Sequence, residues 1–136
     1  MTLGDLSTRV GLYRQSARVH QRALALSEAA FYPRAAASAS AGLGTVATAA
    51  GDWRGAQAWF ERALALAEAE GDASRIADIH HAFGEFFRRK GDIAHATTEL
   101  SVARETFETL GQARELARVL LTEALLFADR GAMRRA

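Results

Sequence analysis

The residues best equipped for chemistry are His80, His81 and Glu85, with His95 across the following glycine-aspartate turn. At i, i+4 spacing, His81 and Glu85 fall on one helical face, as a metal pair or an acid–base pair requires. A zinc site, however, needs three or more ligands at fixed geometry, and a helical zinc hydrolase carries them in the order His-Glu-x-x-His. That order is absent, and His95 brings no fourth ligand. The chain contains no cysteine, which removes thiolate metal sites and disulfides. No elbow sequence supports a Ser-His-acid nucleophile. His80 lies on an apolar stripe and is expected as a packed histidine. These residues point away from an enzyme and away from any bound metal or cofactor.

The cations are similarly placed by local structure. Arg88-Arg89-Lys90 and Arg130 sit at predicted helix C-termini, where the helix dipole favours positive charge, and Arg134-Arg135 follow just beyond. Binding of nucleic acid would call for a larger basic stripe with stacking aromatics. With 17 basic and 16 acidic residues the net charge is +1, which exerts no general pull on nucleic acid or an anionic membrane.

The elements that carry these side chains follow from an internal repeat. The sequence GDWRGAQAWFERALALAEAEGD, residues 51–72, has glycine-aspartate at each end and one amphipathic helix between. Shifted by forty residues, Gly51 maps to Gly91, Asp52 to Asp92, Ala56 to Ala96, Phe60 to Leu100 and Ala63 to Ala103. Shifted back by the same step, Gly51 maps to Gly11, Trp53 to Tyr13, and Ala63-Leu64-Ala65-Leu66 to Ala23-Leu24-Ala25-Leu26. A fixed period of this kind is the mark of a repeat architecture.

Each glycine supplies a positive-φ stop and each following aspartate a cap for the next helix. The helix after Asp52 places Ala56, Trp59, Phe60, Ala63 and Ala67 on one face, and the helix after Asp92 places Ala96, Leu100, Ala103, Phe107 and Leu110 likewise. Between them, a helix over about Ser74 to Lys90 has Ile76, Ile79, His80, Phe83 and Phe87 on its stripe. The helix from about Arg34 to Ala50 is built of small residues and can be approached closely. Pro33 suits its first turn, in a Phe31-Tyr32-Pro33 junction that replaces glycine-aspartate. At the N-terminal end, residues up to Val10 read as the tail of a helix stopped by Gly11, with Leu3-Gly4 in register with Leu43-Gly44. A second helix is expected from about Tyr13 to Ala30, with Ala23, Leu26 and Ala30 on its apolar side. The last, about Arg114 to Arg130, presents Leu116, Val119, Leu120 and Phe127, and Gly131 is its expected stop. Glu123 stands where Phe83 predicts a large apolar residue.

Composition agrees with a helical array. The 136 residues suffice for one domain or one short array, 49% are apolar and 24% charged, and there is one proline. The N-terminal sequence MTLGDLSTRVG lacks the apolar core of a signal peptide. The uncharged run 35–51 is too short and too rich in Ala, Ser, Gly and Thr to span a membrane. A cytoplasmic location is expected.

These repeats resemble the tetratricopeptide repeat, a helix-turn-helix unit. Helix A carries Leu43-Gly44 and then Phe83-Gly84-x-x-Phe87, and helix B carries Ala56, Phe60, Ala63 and then Ala96, Leu100, Ala103. Gly44 and Gly84, set opposite Ala56 and Ala96, would let paired helices close up, with Phe60 or Leu100 filling the next layer. The period of forty exceeds the family's roughly thirty-four, and glycine-aspartate replaces the family's junction proline. This longer form is similar to arrays attached to large bacterial transcriptional regulators, although these residues show no nucleotide-binding loop or DNA-reading helix.

The resemblance implies an all-α fold, a right-handed α-solenoid of antiparallel helix pairs with about seven helices. The repeats would fall at about 1–32 (partial), 33–72, 73–112 and 113–136 (partial). It also implies a concave groove lined by helix A. The corresponding positions are Ser38, Ala41, Thr45 and Thr48, then Asp78, His81, Glu85 and Arg88, then Arg118, Leu121 and Leu125. Spacing supports the second set, since 78, 81, 85 and 88 share a face opposite the Ile76-Phe83-Phe87 stripe. The expected function is non-enzymatic: a scaffold that holds a peptide or partner helix in the groove. The alternative is a sensing or packing segment of a larger bacterial regulator. Self-association through the incomplete terminal repeats is a further expectation, because an uncovered apolar helix face can pair with its copy. Direct nucleic-acid and membrane contacts are not expected.

Overall fold

A computed structural model describes residues 3–135, with side chains for residues 9–132. Among the described residues there are six helices and no strand: α1 (Leu3–Ala29), α2 (Pro33–Ala49), α3 (Trp53–Glu70), α4 (Ala73–Lys90), α5 (Ile93–Leu110) and α6 (Ala113–Arg135). The fold is all-α, and at the junctions around Gly51, Gly71, Gly91 and Gly111 the helix limits lie within a residue or so of those read from the sequence. It comprises two compact units that divide between Glu70 and Gly71.

The junctions share one chemistry. Gly51, Gly71, Gly91 and Gly111 have φ of 78°, 77°, 91° and 68°. At Gly91 the N–H donates to the Arg88 carbonyl and the Asp92 N–H to that of Phe87, which pairs carbonyls left open by the ending helix. Asp52, Asp72 and Asp92 then accept from the N–H of Gly55, Arg75 and His95 at 3.0, 3.2 and 3.2 Å, capping α3, α4 and α5. The α1–α2 junction repeats the carbonyl pairing with Phe31 in place of glycine. Its φ is 54°, its N–H donates to Glu28, and the Tyr32 N–H donates to Ser27.

Two expected stops do not operate. Gly11 lies inside α1 and Gly131 inside α6, so the expected first two helices are a single element and the count is six instead of about seven. Neither glycine is followed by a capping side chain: Leu12-Tyr13 follows the first and Ala132-Met133 the second. Without a new helix start, continuing the backbone hydrogen-bond ladder is the cheaper outcome. The side chains of Leu3-Gly4, expected to pair by register with Leu43-Gly44, lie outside the described residues.

In the first unit α1 packs on α2 and α2 on α3. Leu24, Ala36, Ala39 and Leu43 form one core cluster, with Ala17, Trp59 and Leu66 against it. Ala56, Phe60, Ala63 and Ala67 are buried as expected, and Trp59 is half-buried. A Cβ on Gly44 would lie 2.9 Å from the Phe60 ring, so the glycine is a seat for that aromatic side chain. The apolar side expected for α1 is rotated. Leu24 and Ser27 are buried, whereas Leu26 is 61% exposed and Ala23 and Ala30 face outward. Ser27 tolerates burial because its hydroxyl donates to the Ala23 carbonyl at 2.6 Å.

In the second unit α4 packs on α5, α5 on α6, and α4 also touches α6. Ile79, Phe83, Phe86 and Phe87 of α4 are buried with Ala96, Leu100, Ala103 and Phe107 of α5. Phe83 stacks on Phe87 at 4.7 Å, and Phe87 on His95 at 5.0 Å. Among the described side chains of α6, Val119 and Leu126 alone are fully enclosed, while Leu120 and Phe127, expected on the packed stripe, are 47% and 56% exposed. Glu123, the residue out of pattern, is mostly buried and accepts from Arg104 Nε at 2.9 Å. An ion pair to α5 thus occupies the place that an apolar contact fills in the preceding repeat.

Candidate functional site

In the second unit, α4 and α6 together present one polar face. The α4 residues Asp78, His81, Glu85 and Arg88 are tied to α6 by two direct contacts. His81 Nε2 lies 2.7 Å from Thr122 Oγ1, and Arg88 donates to Asp129 at 2.8 Å. Arg88 also grips Glu85 through Nε and Nη2 at 2.8 and 2.7 Å, and Arg89 adds a bond to Glu85 at 3.2 Å. The guanidinium of Arg88 therefore bridges two carboxylates on two helices, the geometry for which its planar fork is suited. Leu121 and Leu125 of α6 are 68% and 52% exposed, and Arg118 is exposed too. Of the positions expected to line a groove, the second set and Arg118 of the third are brought together, Arg118 acting by its charge on Asp78 and His81.

The ionisation of this face follows from its packing. Asp78 keeps an exposed surface, yet the protein around it desolvates its carboxyl enough to raise the pKa, against the pull of Arg118. Burial lowers the pKa of His81, and the charge of Arg118 lowers it further. Burial alone would raise Glu85, but hydrogen bonds from Arg88 and Arg89 outweigh it and hold the carboxylate below its usual range. Arg88 is raised by its bond to Glu85 and remains a cation. At neutral pH the face therefore offers a neutral imidazole between the Glu85–Arg88–Asp129 network and the opposite charges of Asp78 and Arg118.

The first set of positions lies on α2 in the first unit. Ser38 and Thr45 are exposed, Ala41 is half-buried, and Thr45 Oγ1 donates to the Ala41 carbonyl at 3.1 Å. Thr48 differs from the rest: it is 7% exposed, and its hydroxyl donates to the Gly44 carbonyl at 2.8 Å. Its hydroxyl serves the helix and is not offered to a partner.

The residues weighed for metal or acid–base chemistry are engaged elsewhere. His80 Nδ1 lies 2.5 Å from Glu99 Oε2, and His95 Nδ1 lies 2.7 Å from Asp92 Oδ2. Among the described residues no group of three or more His, Asp or Glu side chains could hold a metal ion. Lys90 sits 5.9 Å over the Phe86 ring, and Arg130 is exposed; the side chains of Arg134 and Arg135 lie outside the described residues. Among the described residues no helix is long and apolar enough to cross a membrane.

Sequence reading missed one feature of the first unit. Phe31, 92% exposed, borders an open apolar hollow of about 430 Å³ together with Ser27, Tyr32, Pro33, Ala36 and Leu66. The Phe31-Tyr32-Pro33 departure from glycine-aspartate was the available signal. Nothing in residue type alone showed that the phenyl ring would stand outside the core.

Residues 39–74 match the tetratricopeptide repeat family. No curated protein and no solved structure matches the chain.

Proposed function

We propose, from the premise that this chain carries a tetratricopeptide repeat over residues 39–74, that it is a non-enzymatic protein-interaction module. Repeats of this family mediate protein–protein contacts. The whole chain is read as one array of such units, and the α4–α6 face is its partner-binding surface. The observation that carries the reading is two exposed leucines, Leu121 and Leu125, on a face that also carries the opposite charges of Asp78 and Arg118. Apolar anchors supply the affinity of such a face, and rim charges choose the register of what binds. The fitting partner is a helix or extended peptide with two apolar side chains one helical turn apart, an acidic group for Arg118 and a basic group for Asp78. A cytoplasmic setting suits this role.

The test is selection from a randomised peptide library on the wild-type chain, followed by binding to an Asp78→Arg, Arg118→Asp variant of unchanged helix content. Selected sequences should share the apolar pair with a flanking acid and base, and the variant should prefer peptides with those charges exchanged. Binders with no common charge pattern, or equal binding by both proteins, would remove this face from the account.

A further inference from the structure

Two exposed seams, one on each unit, have matching chemistry. On α6, Ala113, Ala117, Leu120, Ala124, Phe127 and Gly131 recur at alternating intervals of four and three residues, and no charge lies among them. The spacing is that of a helix–helix seam. Leu120 and Phe127 stand 47% and 56% exposed on it. On α1 and its final turn, Leu12, Ser16, Val19, Ala23, Leu26 and Ala30 recur with the same spacing and the same absence of charge. Here Leu12, Val19 and Leu26 are 58%, 67% and 61% exposed. Neither seam is the face its helix uses within its own unit: α1 turns Leu24 and Ser27 inward, and α6 turns Val119 and Leu126 inward.

The chain's own α4–α5 pair shows how such seams meet. There Gly84 of α4 lies against Leu100 and the Glu99 Cβ of α5, and His80 reaches Glu99. One forty-residue step carries Gly84 to Ala124 and His80 to Leu120, and two steps back carry Glu99 to Val19. The α4–α5 register, applied to α6 and α1, sets Val19 over Ala124, with His20, the counterpart of Leu100, beside it. With the helices antiparallel, Leu12 then meets Gly131, Ser16 meets Phe127, Ala23 meets Leu120 and Leu26 meets Ala117. Each of these layers sets a bulky side chain against a small one, the arrangement that lets facing helices interlock without voids. The polar His80–Glu99 contact becomes an apolar Leu120–Val19 contact, as suits a surface closed by association.

We infer that α1 of one copy of this chain docks antiparallel on the α6 seam of a second copy, with Val19 over Ala124. The two seams are different surfaces, so the contact is head-to-tail. Each docked copy leaves one seam of each kind free, so assembly gives a closed ring if the rotation between copies closes and an open filament if it does not. Leu121 and Leu125 are not seam positions, although Leu121 borders the seam one turn from Ala117.

The absence of cysteine from the chain makes the test direct. Val19→Cys and Ala124→Cys variants, each with a different tag, are mixed in oxidising buffer, and the disulfide products are identified by mass. The inferred register brings the two Cβ atoms within disulfide reach, roughly 3.5–4.5 Å. The mixed 19–124 product should dominate, and wild-type mass in sedimentation should rise with concentration. Leu120→Glu, at an exposed position, should sediment as monomer with its helix content intact. Exclusive 19–19 or 124–124 products, a wild-type chain monomeric at every concentration, or assembly undisturbed by Leu120→Glu would each overturn the inference.

Discussion

Leu100 of α5 lies so close over Gly84 of α4 that a Cβ on Gly84 would fall 2.8 Å from its Cδ2. The contact fixes how near the two helices approach, and Gly44 does the same for the Phe60 ring at 2.9 Å. A side chain at residue 84 must push α5 away from the Phe83–Phe87 cluster. Gly84→Trp should therefore cost roughly 1–3 kcal/mol or more, as overpacking does. Thermal unfolding with an unchanged midpoint would contradict this packing.

The second prediction concerns Phe31, which holds the left-handed conformation that Gly71 and Gly111 hold forty and eighty residues later. A residue with a Cβ is disfavoured there by about 1–2 kcal/mol. The ring is 92% exposed, so little packing is lost on its removal. Phe31→Gly should stabilise the chain by about 1 kcal/mol, and the reciprocal Gly111→Phe should destabilise it by a similar amount. Denaturant titration of the pair checks the sign of both.

Glycines at the two kinds of position should respond oppositely to alanine. Gly11 lies within α1 with no atom close to its missing Cβ, so Gly11→Ala should add about 0.5–1 kcal/mol. Gly51 has φ of 78°, and Gly51→Ala should cost about 1 kcal/mol. Equal responses from the two variants in chemical unfolding would refute the assignment of Gly11 to a helix interior.

The same contrast explains how much the sequence revealed. Glycine followed by a capping aspartate announced three junctions, because stop and start chemistry were both present. At Gly11 and Gly131 only half of that signal existed, and the helix ran on. Small residues at 44 and 84 were legible as close-approach sites because the repeat aligned them with large residues on the next helix. The contacts of Glu123 with Arg104, of His81 with Thr122 and of Arg88 with Asp129 were not legible, since they join residues nineteen to forty-one positions apart. Periodicity places a residue on a face; it does not say which partner's charge lies across from it. The exposure of Leu120 and Phe127 was missed for a related reason, since the stripe read from α4 owes its burial to α5.

A pH dependence follows from His81. Its pKa in the folded chain lies below the ordinary 6.5, first through burial and then through Arg118. As pH falls through 6.5, the unfolded chain takes up the proton more readily than the folded one, so folding loses stability; above that range the contribution is absent. From about pH 7.5 to about pH 5.5, wild type should lose more stability than His81→Gln, a neutral side chain still able to bond Thr122. Both proteins share the other titrating groups, so the difference between them isolates residue 81. Parallel pH profiles would show that burial of this imidazole carries no linkage.

The claim most exposed to test is that Leu121 and Leu125 anchor a partner. Both are more than half exposed and neither is enclosed in a core, so Leu121→Glu, Leu125→Glu should leave the helix content and melting temperature of the second unit nearly unchanged. Calorimetric titration of a library-selected peptide into wild type and this variant is the measurement. The account predicts binding weakened by about tenfold or more, equivalent to about 1.4 kcal/mol, in a variant that is still folded. A folded variant that binds the peptide as tightly as wild type would contradict it.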